Sequence, residues 1–244
     1  AFMVSSSAVL PARYFPSRRE AVPSPSVADG AAGDSAAASP APVPTPTTPA
    51  CVTMARGLSP EERVGQLFML GVSTSGLDEA TRAAVVDNRV GSVVLLGNSS
   101  AGRKVIRLLT AELGSLATAA LPLLIAVDQE GGSVQRLRGD GFSSIPTARE
   151  QGTWSAHELR AEAQSWAQQL KKAGVDYNLA PVADVVPESK RETNAPIGQL
   201  KRDFGADADE VSDAVTAFIE GMRAGGVMTA AKHFPGLGEV TQNT

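Results

Sequence analysis

From residue 68 onward, short unbroken apolar runs alternate with stretches of helical periodicity, and no pattern in the chain restricts its fold more. The runs are FMLGV at 68–72, VGSVVLLGN at 90–98, LLIAVDQEGG at 123–132, YNLAPVADV at 177–185 and GVMTAAKHFPG at 226–236. None alternates apolar with polar residues, as a strand with one wet face would. Strands buried on both faces and separated by helices form a parallel α/β sheet. The helices carry their own signals. Ser59-Pro60-Glu61-Glu62 is a cap, a first-turn proline and a returning glutamate, and predicts a helix running into Val64 and Leu67. Further helices are expected around 77–88, at 102–117 with Val105, Leu109, Leu113 and Leu116 on one face, and at 155–172 with Leu159, Ala163, Trp166 and Leu170 on one face. The next opens with Asp207 as cap and Glu210 as box partner, and stacks Val211, Val215, Phe218 and Met222. Trp166 and Phe218 fit these faces and need no ligand to explain them.

A parallel sheet closes as a doubly wound open sheet or as a (β/α)8 barrel. No GxGxxG follows the first strand and no GxxxxGK[ST] occurs, so nucleotide-binding open sheets lose their best support. Polar clusters instead stand at three strand ends: Asp128-Gln129-Glu130, Asp184 after Pro181-Val182-Ala183, and Lys232-His233-Phe234-Pro235. In a barrel such ends open on one face, where the site is built. The expected fold is therefore a (β/α)8 TIM-type barrel, here truncated at about five or six strands, since a full barrel takes roughly 250 residues. A disordered N-terminal extension precedes it.

Composition narrows the chemistry. With 22 Lys+Arg against 26 Asp+Glu and a net charge of -4, the chain offers no basic surface for nucleic acid or anionic lipid. The single cysteine, Cys51, can form no internal disulfide, and His157 and His233 are the only histidines, so neither a metal site nor a cofactor is expected. Residues 16–50 hold 8 of the 16 prolines amid Ala, Ser and Thr. The domain reading is a remnant of a signal or membrane anchor at 1–15, a disordered Pro/Ala/Ser/Thr linker at 16–52, and a barrel at 53–244. The alternative for the first segment is a plain disordered terminus. Export is the favoured reading, which makes the protein extracytoplasmic, secreted or tethered to a membrane through its N-terminus, and a monomer.

Three segments, VDQEGGSVQRL at 127–137, NAPIGQLKRDFG at 194–205 and AKHFPGLGEV at 231–240, resemble the barrel motifs of the glycoside hydrolase family 3 β-N-acetylhexosaminidases, in particular their bacterial secreted or lipoprotein branch. The resemblance covers roughly 55–244 in order and spacing. It implies a carbohydrate partner and assigns binding of the terminal sugar to Asp128, Arg202, Lys232 and His233. Physical chemistry agrees: a carboxylate accepts from vicinal hydroxyls, while Lys, Arg and a neutral His donate to them. For each residue a structural role is the competing reading, and Lys201-Arg202-Asp203 could be a loop ion cluster. Glu130 is expected to be structural, paired with an arginine such as Arg136, and Asp184 and Glu239 are better explained as structural than as catalytic.

The implied reaction is hydrolysis of terminal β-linked N-acetylglucosamine with retention, from glycans such as peptidoglycan fragments. Retention needs a nucleophilic carboxylate and a separate acid/base. By the resemblance, the nucleophile lies in an acidic motif after a later strand, beyond Thr244. The acid/base loop follows KHFPG; Leu237 stands where the family has a second His, and Asn243 falls at the position of the loop's Asp. The catalytic residues are thus unknown, expected after Thr244, and the chain alone is expected to be inactive. The alternatives are a β-glucosidase of the same family, which FPGLG after the Lys-His pair disfavours, and a non-catalytic cell-wall sugar-binding barrel.

Overall fold

The computed structural model describes residues 49–118 and 121–242. The expected anchor remnant at 1–15, most of the linker at 16–52, and Asn243 lie outside the described residues. The chain divides into Ser5–Ser59 and a larger unit that contains Pro60–Thr244. Of the first, the described part is helix α1 (Ala50–Gly57), which buries no residue and carries the exposed thiol of Cys51. It begins inside the range read as linker.

In the larger unit, α2 (Pro60–Gly65) leads to β1 (Met69–Ser73), α3 (Glu79–Asp87), β2 (Ser92–Leu96), α4 (Arg103–Ser115) and β3 (Leu124–Val127). After β3 come a small antiparallel pair, β4 (Gln129–Gly131) and β5 (Val134–Gln135), a short α5 (Ala148–Gln151) and the long α6 (Ala156–Lys172). The chain then returns through β6 (Tyr177–Asn178), a 3-10 turn at Glu188–Lys190, α7 (Ala208–Ala224) and β7 (Met228–Thr229). The five strands β1-β2-β3-β6-β7 pair in that order, all parallel. Sequential strands lying side by side with a helix at each crossover are the expected alternation made physical.

Residues with caps and stripes in the sequence form helices where those signals fall. Ser155 accepts the Glu158 N–H and opens α6; Asp207 accepts from Asp209 and Glu210 N–H and opens α7. Glu210 reaches back as a box residue does, although it takes the N–H of Ala206 rather than that of the cap. Leu159, Ala163, Trp166 and Leu170 are all buried on α6, facing Phe218 and Met222 of α7 across the core. An aromatic row runs through this layer: Trp154 to Trp166 and Trp166 to Phe218 at 6.3 Å, then Phe218 to Phe204 at 6.2 Å between centroids. Offset and edge contacts of this kind add to the area that each ring buries.

Two stripes differ from expectation. On α4 the buried set is Ile106, Leu109, Thr110 and Leu113, with Val105 about half exposed. That set is itself i, i+3, i+4, i+7; Leu109 and Leu113 belong to both stripes, and burying Thr110 is feasible because its hydroxyl donates to Ala173 O at 2.7 Å. The helix that starts at Pro60 stops at Gly65 and leaves Val64 and Leu67 exposed. Gly65 is what packs: a Cβ there would lie 2.3 Å from the carbonyl oxygens of Asn88 and Arg89.

Candidate active site

Every residue of interest follows the C-terminal end of a parallel strand. Asp128 is the residue after β3, Asp184 and Arg202 lie on the long segment after β6, and Lys232 and His233 come three and four residues after β7. Parallel register brings these ends to one edge of the sheet, and local sequence determines how each side chain is held there.

Asp128 and Glu130 flank Gln129, whose backbone is locked from both sides. The buried carboxamide of Asn178 accepts the Gln129 N–H and donates to the Gln129 carbonyl, both at 3.0 Å, as a neighbouring strand would. The Gln129 side chain does the same for Leu137, donating to its carbonyl at 2.8 Å and accepting its N–H at 3.0 Å. With Gln129 pinned inward, its two neighbours face the strand-end side. Gly131 follows at φ 116°, where a Cβ would sit 2.1 Å from Pro146 O, so no other residue permits this turn.

Arg202 sits on a segment tied down on both flanks. Asp203, fully buried, accepts from Arg149 Nη2 at 2.7 Å and Nε at 3.2 Å and from Arg191 Nε at 2.9 Å. Asn194 takes the N–H groups of Ile197 and Gly198, and its amide nitrogen lies 2.7, 3.1 and 2.8 Å from the carbonyls of Leu237, Gly238 and Val240. The Arg202 segment and the loop after Lys232-His233 are therefore joined through one side chain. Lys201-Arg202-Asp203 is not an ion cluster among themselves, because Asp203 turns to Arg149 and Arg191 while Arg202 points the other way.

There the charges meet. Arg202 donates Nε to Glu130 Oε2 and Nη2 to Glu130 Oε1, both at 2.8 Å, and Nη1 to Pro196 O at 2.8 Å. Lys232 Nζ lies 2.7 Å from Asp128 Oδ1 and 2.6 Å from Glu130 Oε1. His233 Nδ1 is 2.6 Å from Asp184 Oδ2, and its Nε2 is 3.4 Å from Arg202 Nη2. Asp184 Oδ1 also accepts the N–H of Leu237 at 2.6 Å. Burial pushes the Glu130 carboxyl up, but Arg202 and Lys232 outweigh it and hold the group below its ordinary value. Burial likewise raises Asp184, and the His233 and Leu237 hydrogen bonds more than reverse it. Arg202 is driven further up by Glu130, with Asp128 and Asp184 adding to it, against a desolvation that lowers it.

Asp128, Arg202, Lys232 and His233, spread over more than a hundred positions, are thus brought into one hydrogen-bonded group. The structure gives Glu130 the structural role that the sequence predicts, with different partners. Glu130 pairs with Arg202 and Lys232, while Arg136 bonds Asn98 Oδ1. Arg136 is near Glu130 in sequence but lies beyond the turn at Gly131. Asp184 holds His233 directly. Because the ionised Asp184 accepts from Nδ1, His233 turns an Nε2 lone pair toward Arg202, where a donor to a ligand was expected. Asn194 and Asp203 lie within the 194–205 segment but have no holding role assigned from sequence, and Asn178 stands in an apolar run with nothing to mark it. Glu239 pairs with Lys190 at the surface. Among the described residues, no group of three or more His, Cys, Asp or Glu is placed to hold a metal ion, and no helix is long and apolar enough to cross a membrane.

Residues 59–244 match the model of the glycosyl hydrolase family 3 N terminal domain. The chain is 33% identical over 185 residues to a beta-hexosaminidase of Xanthomonas euvesicatoria pv. vesicatoria, an alignment covering 73% of this chain and 52% of that protein. It is 34% identical over 212 residues to the beta-hexosaminidase LpqI of Mycobacterium tuberculosis, covering 80% and 50%. Among solved structures, the beta-N-acetylhexosaminidase of Beutenbergia cavernae superposes with a TM-score of 0.75 at 47% identity, over 77% of this chain and 57% of that one. A family 3 beta-N-acetylglucosaminidase of Paenibacillus superposes at 0.68 with 28% identity, over 77% and 35%. The chain spans about half the length of the curated relatives it matches. Its five parallel strands and the helices between them are of the (β/α)8 type. A parallel α/β unit with its charged group at the strand ends, matched to one family model from residue 59 to residue 244, places the chain in glycosyl hydrolase family 3.

Proposed function

We propose that this chain carries the terminal-sugar site of a β-N-acetylhexosaminidase, which removes terminal β-linked N-acetylglucosamine with retention at the anomeric carbon. One observation carries the reading: Asp128, Arg202, Lys232 and His233 meet at the C-terminal strand ends, with Glu130 joining Arg202 to Lys232 and Arg202 Nη2 facing His233 Nε2. Relatives named beta-hexosaminidase support the choice of sugar.

In this site Asp128 accepts from sugar hydroxyls, Lys232 and Arg202 donate to them, and His233 lies against the ring while its Nε2 faces Arg202. Held donors and acceptors fix the ring before chemistry, which removes much of the entropic barrier to reaction. A nucleophile and an acid/base must flank the scissile bond. Asp128, Glu130 and Asp184 each already serve a cation or an imidazole, so neither role is given to them.

The wider setting belongs to the same proposal. Residues 16–52 serve as a linker between an N-terminal anchor segment and the domain at 53–244, the protein works outside the cytoplasm as a monomer, and its substrates are amino-sugar glycans such as peptidoglycan fragments. A lipoprotein-branch resemblance and the proline-rich composition support this setting.

Titration calorimetry of the chain with N-acetylglucosamine and with glucose tests the site. The expected result is preference for N-acetylglucosamine. Preference for glucose would favour a β-glucosidase, and binding of neither sugar would remove the proposal.

A further inference from the structure

We propose that Glu130 is the specificity-determining and positioning residue of this site: its charge makes the charged group reject anions in favour of neutral hydroxyls, and its two oxygens aim Lys232 and Arg202. The inference rests on the proposed sugar-binding role of Asp128, Arg202, Lys232 and His233.

Counting hydrogen-bonding capacity leads to it. An ammonium has three N–H groups and a guanidinium five. Lys232 directs one N–H to Asp128 Oδ1 and one to Glu130 Oε1, leaving one. Arg202 gives Nε–H and one Nη2–H to Glu130, turns the other Nη2–H toward His233 Nε2, and gives one Nη1–H to Pro196 O, leaving one. Asp128 keeps Oδ2. What remains for a ligand is one donor on each cation beside a carboxylate oxygen, an array that suits adjacent hydroxyls, each of which both donates and accepts.

Charge counting agrees. The groups facing one another here are Asp128, Glu130, Asp184, Lys232, Arg202 and His233. With His233 neutral they carry two positive and three negative charges. Without Glu130 the two cations would face two carboxylates, Asp128 and Asp184, and the group would lose its excess negative charge, which favours anions, since Arg and Lys are the common partners of phosphate and carboxylate. Glu130, 4% exposed, cancels that tendency from beneath and touches no ligand itself. Its two-point contact with Arg202 also fixes the plane of the guanidinium, which a single contact would leave free to rotate.

The test compares the full chain with its Glu130→Gln variant, titrating N-acetylglucosamine and then inorganic phosphate as a competitor. Removing one nearby negative charge should weaken sugar binding and strengthen phosphate binding, each by about tenfold or more. A purely structural role would move both affinities the same way. Parallel losses, or unchanged phosphate binding, overturn the inference. Should the wild-type chain bind no sugar while the variant gains phosphate, the sugar-site proposal fails and the charge role of Glu130 stands. If Glu130→Gln does not fold, the wild-type chain decides. The Arg202 Nε–H resonance, assigned by its loss in Arg202→Lys, should be protected from solvent exchange before any sugar is added. Exchange at the rate of a free arginine would overturn the pre-positioning claim.

Discussion

Glu130 and Arg202, 72 residues apart in sequence, share two parallel hydrogen bonds of 2.8 Å, with 4% and 13% of their side chains exposed. Geometry of this kind combines specificity with strength, because a planar guanidinium fits both carboxylate oxygens at once. It joins the turn after β3 to the segment after β6, and Lys232 extends the junction to the segment after β7.

Breaking that pair from one side should be costly. Arg202→Met leaves Glu130 buried with Lys232 as its remaining cation, and loss of a partner from a buried pair costs about 3–5 kcal/mol. Urea denaturation at neutral pH should show a loss of at least half that size; a change under about 0.5 kcal/mol, the range of ordinary surface substitutions, would mean that the pair does not hold the segments together.

Acid stability follows from the same carboxyl. Glu130 is held below its ordinary value, so its contribution is complete above the unfolded value of about 4.3 and is lost as pH falls through the lower folded value. Wild-type stability should therefore decline with pH below about 4.3, and Glu130→Gln should flatten that decline. Parallel stability profiles for the two proteins between neutral and acid pH would contradict the assignment.

Asp128→Ala is expected to weaken N-acetylglucosamine binding by an amount corresponding to about 1.5–3 kcal/mol, the worth of a hydrogen bond to a charged group. Calorimetry on the folded variant measures it, and an unchanged affinity would take Asp128 out of the site.

Asp184 should fix the tautomer of His233. Nitrogen-15 chemical shifts of the wild-type imidazole should report a proton on Nδ1 near neutral pH, since Asp184 Oδ2 lies 2.6 Å away. Asp184→Asn keeps an acceptor and should preserve that form, whereas Asp184→Ala should release it. The same tautomer in all three proteins would show that something other than Asp184 selects it.

In the core, Trp166→Ala removes the ring that touches both Trp154 and Phe218 and should cost about 3–5 kcal/mol. Thermal unfolding that shifts by less than about 2 °C would argue that the aromatic row is loosely packed.

Sequence alone determined the order of the five parallel strands with their helices and the buried faces of α6 and α7, because those depend on local rules. The cap Asp207 and the α6 stripe from Leu159 to Leu170 act within a few turns of chain and are found where the sequence predicts them, and each apolar run contains a strand. Motif resemblance also singled out Asp128, Arg202, Lys232 and His233 as a set. Periodicity failed on α4, where two overlapping stripes were available and a buried hydroxyl with a carbonyl partner decided between them.

Partner choice was decided only by tertiary structure. Glu130 could have taken Arg136, six residues away, yet the turn at Gly131 and the hold on Asp203 deliver Arg202 from 72 residues off. Asp184 reads as structural from sequence, but only the parallel register of β6 and β7 shows that what it holds is His233. Pairing of charges at strand ends depends on the crossing of segments far apart in sequence. Hydrophobic pattern sets which strands are buried, but the long-range geometry of their loops sets which charge meets which.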